Sequence, residues 1–168
     1  RIAWPDQKNP WAELTYFLYQ SLGNLFLQKS NYNRYWVMAT QEQYFHGLDA
    51  EEKVINWSGR KEMQPGDLVF VYRTAPRSAI TDILRVKEKP WFDPWGAWDG
   101  FWVNLEKVRS IEDIPFAYMK KDPGFNQWGL VRRHFVGTIS EPVPHSIYNR
   151  ILEELSPAIK QELDLEPE

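Results

Sequence analysis

The sequence predicts an α+β domain, a small β-barrel flanked by helices. Short runs rich in β-branched and aromatic residues are separated by turn signals. One apolar stripe at helical spacing precedes these runs and another follows them. With 168 residues, 43% hydrophobic and 26% charged, the chain fits one domain able to build a real core.

Asn9 and Pro10 have the form of an N-cap followed by proline at the first helical position. Leu14, Leu18, Leu22 and Leu25 then recur at helical spacing, with Trp11, Phe17 and Phe26 widening the stripe. This predicts an amphipathic helix over Pro10–Gln28, ended by the polar run from Lys29 to Arg34. Tyr35 to Ala39 reads as a buried strand. Gln64, Pro65, Gly66 and Asp67 signal a turn, and Leu68 to Tyr72 follow as a second strand. Ala79 to Val86 reads as a third, after a short loop from Thr74 to Ser78. Phe101 to Val108 reads as a fourth and His134 to Ile139 as a fifth. Between the third and fourth lies a loop, Lys89 to Gly100, with two prolines, two glycines and three tryptophans. Ile147, Ile151 and Leu155 predict a helix over Pro144–Leu155, and Ser156-Pro157 starts a further helical turn. The organisation expected is a helical appendage over residues 1–34, the main domain over 35–155 and an acidic linker over 156–168.

The chain has no cysteine, which removes disulfides, thiolate metal sites and cysteine nucleophiles. Three histidines (His46, His134 and His145) make a histidine-rich metal site a poor expectation, and no cofactor is expected. No segment approaches the ~18 uninterrupted apolar residues of a membrane span. The first ten residues lack the apolar core of a signal peptide, so an intracellular protein without a membrane partner is expected. The chain opens on Arg1 rather than Met, which reads as a piece of something longer.

The net charge of −3 is unevenly spread. Residues 153–168 carry −5, leaving +2 for residues 1–152. A local basic face can meet phosphates whatever the total, so the charge neither supports nor opposes a nucleic-acid partner. The aromatic content is more telling. Five of the nine tryptophans (Trp57, Trp91, Trp95, Trp98 and Trp102) fall within 46 residues. Any one of them is ordinary core material, but as a set they suit stacking on flat ligands.

Enzyme motifs are missing. The chain has no Gly-x-x-x-x-Gly-Lys-Ser/Thr loop, no Gly-x-Gly-x-x-Gly fingerprint and no Gly-x-Ser-x-Gly elbow. Carboxylates such as Glu51 and Glu52, or Asp93 and Asp99, read as surface or turn residues. A fragment without catalysis is expected.

From Tyr35 onward the order of motifs resembles the EVE domain. Tyr35 to Thr40 is similar to its Tyr-Trp-Leu-Met opening strand, and Gln64 to Tyr72 to its central Gly-Asp strand. Phe101 to Leu105 stands where the family has Trp-x-Val-Asp. Gly129 to Arg133 and Glu141 to Val143 resemble its closing Leu-Val-Arg and x-Pro-Val segments. The likeness covers Tyr35 to Leu155. It departs from the family between Trp57 and Gly66, where nine positions leave no room for a full helix carrying Val-Arg-Asn. Arg60 and Lys61 would then stand in for that helix's phosphate contacts.

The resemblance implies a PUA-like barrel related to the YTH readers, which hold N6-methyladenine in an aromatic cage. It places Trp57 and Ser58 at the first cage wall and its neighbour. The second wall would come from the loop of Trp91, Trp95 and Trp98. Thr40, Gln41 and Ser58 are the candidates to read a base edge. Arg132, Arg133, His134, Arg73, Arg77 and Lys61 are the candidates for phosphate. The function expected is a reader of a modified base after base flipping, N6-methyladenine favoured and 5-modified cytosine the other choice. DNA is favoured over RNA as partner. Relatives of this type also serve as recognition modules of McrB-type restriction GTPases, so a place in a modification-dependent restriction system is an expectation by architecture. Two other readings stay open: an RNA-binding PUA-like domain, and a protein-interaction module whose tryptophans are core.

Overall fold

The structure, a computed structural model, describes residues 35–50, 54–95, 100–138 and 140–166. The helix expected over Pro10–Gln28 lies outside these residues, as does Trp98. Strands β1 (Tyr35–Thr40), β3 (Leu68–Arg73) and β4 (Ala79–Val86) are nearly continuous apolar runs. Their side chains alternate between two cores, one on each face of the sheet, so both faces must be apolar. Tyr35, Val37, Leu68, Phe70, Tyr72 and Ile83 enter one core. Trp36, Met38, Val69, Val71 and Leu84 enter the other.

β2 (Val54–Ser58), β5 (Trp91–Phe92), β6 (Phe101–Pro115) and β7 (Ser140–Pro142) complete the sheet among the described residues. The order is β2-β6-β4-β3-β1-β7, with β5 also on β6. β1 and β3 run parallel and the other pairs antiparallel. The sheet curls until its edge strands approach each other. Ser140 Oγ on β7 donates to the Ser58 carbonyl at 2.8 Å, and Arg60 Nε donates to the Ser140 carbonyl at 2.9 Å. The result is the curled half-barrel of an α+β, PUA-like fold.

Helix α1 (Phe45–Asp49) follows β1 after a short 3-10 turn. Helices α2 (Phe116–Lys121), α3 (Gly129–Arg132), α4 (His145–Glu154) and α5 (Pro157–Leu163) cover the first core. They bury Met119, Leu130, Val131, Ile147, Tyr148, Ile151, Ile159 and Leu163 there. No helix of the described residues is long and apolar enough to cross a membrane.

Three expectations need correction. The fourth strand runs on to Pro115, because β6 pairs β2 and β5 at its start and β4 along the rest. The segment from His134 to Thr138 is a series of turns, not a strand. His134 and Phe135 take left-handed backbone with φ of 58° and 56°, and Gly137 follows at 70°, which no strand accommodates. The apolar Phe135 that suggested a strand is an anchor: its ring stacks flat on Tyr72 at 3.8 Å. The acidic stretch expected to be a linker is packed through Leu165. Ser156 Oγ caps α5 by accepting from the Ile159 N–H, and Ile159, Leu163 and Leu165 are buried. Its acids stand mainly on the outer side.

The Gly-Asp turn has a structural cause. Gly66 has φ of 96°, which favours glycine. The buried Asp67 carboxylate then accepts from Trp36 Nε1 at 2.9 Å and from the Gln64 N–H at 2.9 Å. Asp67→Ala leaves both donors without that acceptor and is expected to cost about 1–3 kcal/mol in a denaturant melt. A change below about 0.5 kcal/mol would mean the donors reach water instead.

Candidate functional site

A cavity of about 970 Å³ opens beside the edge strand β2. It is bordered by the end of β1 (Ala39), the following turn (Gln41, Gln43 and Tyr44) and β2 itself (Asn56, Trp57 and Ser58). Thr74 after β3, Trp102 on β6 and the turns from His134 to Thr138 close the ring. The volume is at the upper end of the range usual for small-ligand sites.

Strand alternation explains who faces it. In the β2–β6 ladder Ser58 stands opposite Trp102, and Asn56 opposite Asn104. Val103, between them on β6, and Leu105, just beyond, are core, so Trp102 must turn to the other face. Ser58 and Trp102 are thus cross-strand neighbours whose Cβ atoms lie about 5 Å apart. Trp57, from the opposite face of the same edge strand, packs partly on the second core and also reaches the lining. Its indole meets the Tyr44 ring edge-on at 5.7 Å, which fixes its plane.

The described lining holds no Asp, Glu, Lys or Arg. Its polar groups are neutral amides, hydroxyls and an indole N–H, with His134 as the ionisable exception. A lining of this kind suits a neutral, flat, partly polar guest and not an anion. Among the described residues, three buried polar atoms at this lining have no hydrogen-bond partner: Ser58 Oγ, Trp102 Nε1 and Thr138 Oγ1. Such atoms are rare, and each costs about 1–3 kcal/mol while unpaired. Their clustering gives this lining two hydroxyls and an indole N–H that could meet a polar guest. Backbone strain falls in the same place, since His134 and Phe135 are consecutive left-handed residues at the rim.

The sequence candidates divide sharply. Trp57, Ser58, Gln41 and His134 border the cavity. Thr40 is buried with its hydroxyl 3.5 Å from the Gln41 carbonyl, so it supports the turn and is not part of the lining. Trp91 and Trp95 are not in the lining either. Trp91 pairs with Trp102 on β6, and Trp95 is 92% exposed at a loop tip. Among the described residues the second indole of the lining is Trp102. Alternation of Trp102 and Asn104 with the core residues Val103 and Leu105 was the available signal for it. Nothing local in the sequence marks Thr138 or Thr74.

Among the phosphate candidates, Arg73 is removed. It is 2% exposed and bonded on every side. Nε donates to Thr81 Oγ1 at 3.0 Å, and NH2 donates to Asp82 at 2.9 Å and to Asp49 at 2.7 Å. Its guanidinium also lies 5.2 Å from the Phe45 ring centre. This network ties α1 to β3 and β4. Burial alone would raise the Asp82 carboxyl, but hydrogen bonds from Ser110, Thr81 and Arg73 outweigh it and hold the group below its ordinary value. The Arg73 hydrogen bond likewise lowers Asp49. Arg77 is engaged too, in a two-pronged pair with Asp113 at 2.7 and 3.0 Å that keeps its guanidinium firmly protonated. Arg132 donates to Gln127 Oε1 at 2.6 Å, Arg133 to Glu141 at 3.1 Å, and Lys61 lies 3.9 Å from Glu62. These three are exposed at the surface.

None of the curated proteins compared with the chain matches it. Among solved structures, a protein from Pseudomonas putida is 18% identical with a TM-score of 0.60, covering 71% of this chain and 97% of its own. One from Rhodopseudomonas palustris is 16% identical at 0.59, covering 71% and 91%. ASCH from Zymomonas mobilis is 6% identical at 0.54, covering 74% and 97%. At these identities the likeness is one of fold. The family model described as the EVE domain matches residues 34–154, the curled sheet together with the helix α4 that closes it. The chain belongs to the EVE domain family.

Proposed function

We propose that this domain binds nucleic acid and receives one unstacked base in the cavity beside β2, with a modified base preferred. The observation that carries the reading is the cavity itself: a neutral lining with two indoles, Trp57 and Trp102, and three polar atoms lacking partners. Extruding a base costs a few kcal/mol, and stacking on aromatic rings returns about 1–3 kcal/mol per base. Gln41, Gln43, Asn56 and the orphaned hydroxyls supply the donors and acceptors a base edge requires. A methyl group enclosed by the indoles adds about 1 kcal/mol of transfer energy, and pocket fit raises one-methyl discrimination to about 1–3 kcal/mol.

The competing reading, tryptophans that serve only as core, fits Trp36 and Trp128, each 5% exposed. It does not account for Trp57 and Trp102 bordering an open volume. The reading includes no turnover of nucleotides or nucleic acid.

Duplex DNA carrying N6-methyladenine is the first ligand to test. Plain duplex, 5-modified cytosine, single strands and RNA form the other arms of one fluorescence titration. Modified DNA is expected to bind roughly ten- to a hundredfold tighter than plain DNA. Equal affinity for modified and plain strands would remove the modification preference, and no binding to any strand would remove the reading altogether.

A further inference from the structure

Among the described residues the cavity lining carries no Asp, Glu, Lys or Arg, so cations for a backbone contact are sought at its rim. Arg60 stands two positions after the end of β2 and is fixed by its Nε donating to the Ser140 carbonyl. Among the described residues its two terminal nitrogens make no hydrogen bond, and the side chain is half exposed. Arg133, next to the cavity residue His134, is also half exposed and donates to Glu141 at 3.1 Å. The same Glu141 oxygen lies 3.9 Å from Arg60 NH2. Two guanidiniums therefore share one carboxylate, leaving an unmatched positive charge beside the strand that carries Trp57 and Ser58.

We propose that Glu141 occupies the place of a nucleic-acid phosphate between Arg60 and Arg133, and that a backbone phosphodiester displaces it when the strand docks. The inference rests on the function proposed above. Arg60 is oriented through Nε with its terminal nitrogens open, the geometry that meets a phosphate with two parallel hydrogen bonds. The contact at 3.9 Å is too long for a hydrogen bond, so Glu141 engages Arg60 only loosely. Glu141 thereby competes with the ligand and sets a ceiling on sequence-independent affinity.

The test is a salt-dependent titration of plain and modified duplex DNA with the whole chain, alongside a melting curve for each variant. Glu141→Gln keeps the shape of the side chain and removes its charge. It is expected to tighten binding of both duplexes equally, about two- to fivefold at low salt, the scale of one exposed ion pair. Arg60→Ala is expected to weaken both equally and to reduce the log–log salt slope by about 0.9, one phosphate contact. Arg60→Lys restores the charge but not the fork, so it recovers only part of the loss. Adding Arg60→Ala to Glu141→Gln should erase most of the gain. Unchanged affinity and salt slope in folded Glu141→Gln and Arg60→Ala proteins, with modified DNA still preferred, would overturn this inference and leave the base-binding function standing. A parent chain that binds no DNA would overturn both.

Discussion

Arg73→Met is expected to destabilise the domain by about 3–5 kcal/mol, the largest effect of any single change considered. Arg73 and Asp82 are both buried, at 2% and 1% exposure, and removing Arg73 leaves Asp82 with Lys107, 3.5 Å from its other oxygen, as the remaining counter-charge among the described residues. Ser110 and Thr81 would still donate to Asp82, at 2.7 and 2.6 Å, and keep the loss from growing further. The pH dependence follows from the lowered carboxyls of Asp82 and Asp49. A carboxyl held below its unfolded value of about 3.9 adds stability above that pH, and this is lost as pH falls through the lowered folded value. Without Arg73, Asp82 loses one hydrogen bond and one positive charge that hold its carboxyl down, so the carboxyl moves up and acid unfolding should begin at a higher pH than in the parent. Urea melts between neutral and acidic pH check both points. A variant as stable as the parent, with the same acid midpoint, would show that the network is dispensable. Because Arg73 is absent from the cavity lining, the folded fraction of the variant should still bind nucleic acid.

Trp57→Ala is expected to weaken binding of a modified oligonucleotide by about 1–3 kcal/mol, or roughly ten- to a hundredfold. The loss should be greater for the modified than for the plain strand, since the methyl loses the wall it packs against. Some stability will go as well, because Trp57 packs partly on the second core. That loss should fall below the roughly 3–5 kcal/mol of truncating a fully buried indole, since this ring is only half buried. Trp57→Phe keeps a stacking face and should recover part of both. A Trp57→Ala protein that folds and binds modified and plain strands as the parent does would exclude Trp57 from the site. Severe unfolding of the alanine variant shifts the decision to Trp57→Phe, whose affinity for modified DNA must then fall below the parent's.

Periodicity and turn chemistry made the main strands legible. The starts of β1, β3, β4 and β6 and the span of α4 follow from β-branched runs, the Gly66-Asp67 turn and the Ile147-Ile151-Leu155 stripe, all local signals. β2 was not legible as a strand. Its edge position leaves only one side to pair, and its short run mixes Asn56 and Ser58 with Ile55 and Trp57. The turns from His134 to Thr138 misled because an apolar residue anchoring a loop reads like one filling a strand.

For the site, residue chemistry pointed to Trp57 and Ser58 but could not choose among the tryptophans. Trp91 and Trp102 look alike in a list of residues; pairing sets them side by side on β5 and β6, and only Trp102, which also pairs with Ser58 on β2, borders the cavity. The same holds for the cations. Arg73 closes an apolar strand and Arg60 lies in a polar turn, but neither context shows that the first is paired with two carboxylates at the sheet while the second stands half open at a rim. Local patterning decides which segments become strands and helices, because backbone propensity and burial act over a few residues. Which side chains meet, and which polar atoms are left without partners, depends on the closure of the curled sheet, which brings Ser58 and Ser140 together across 82 positions of chain.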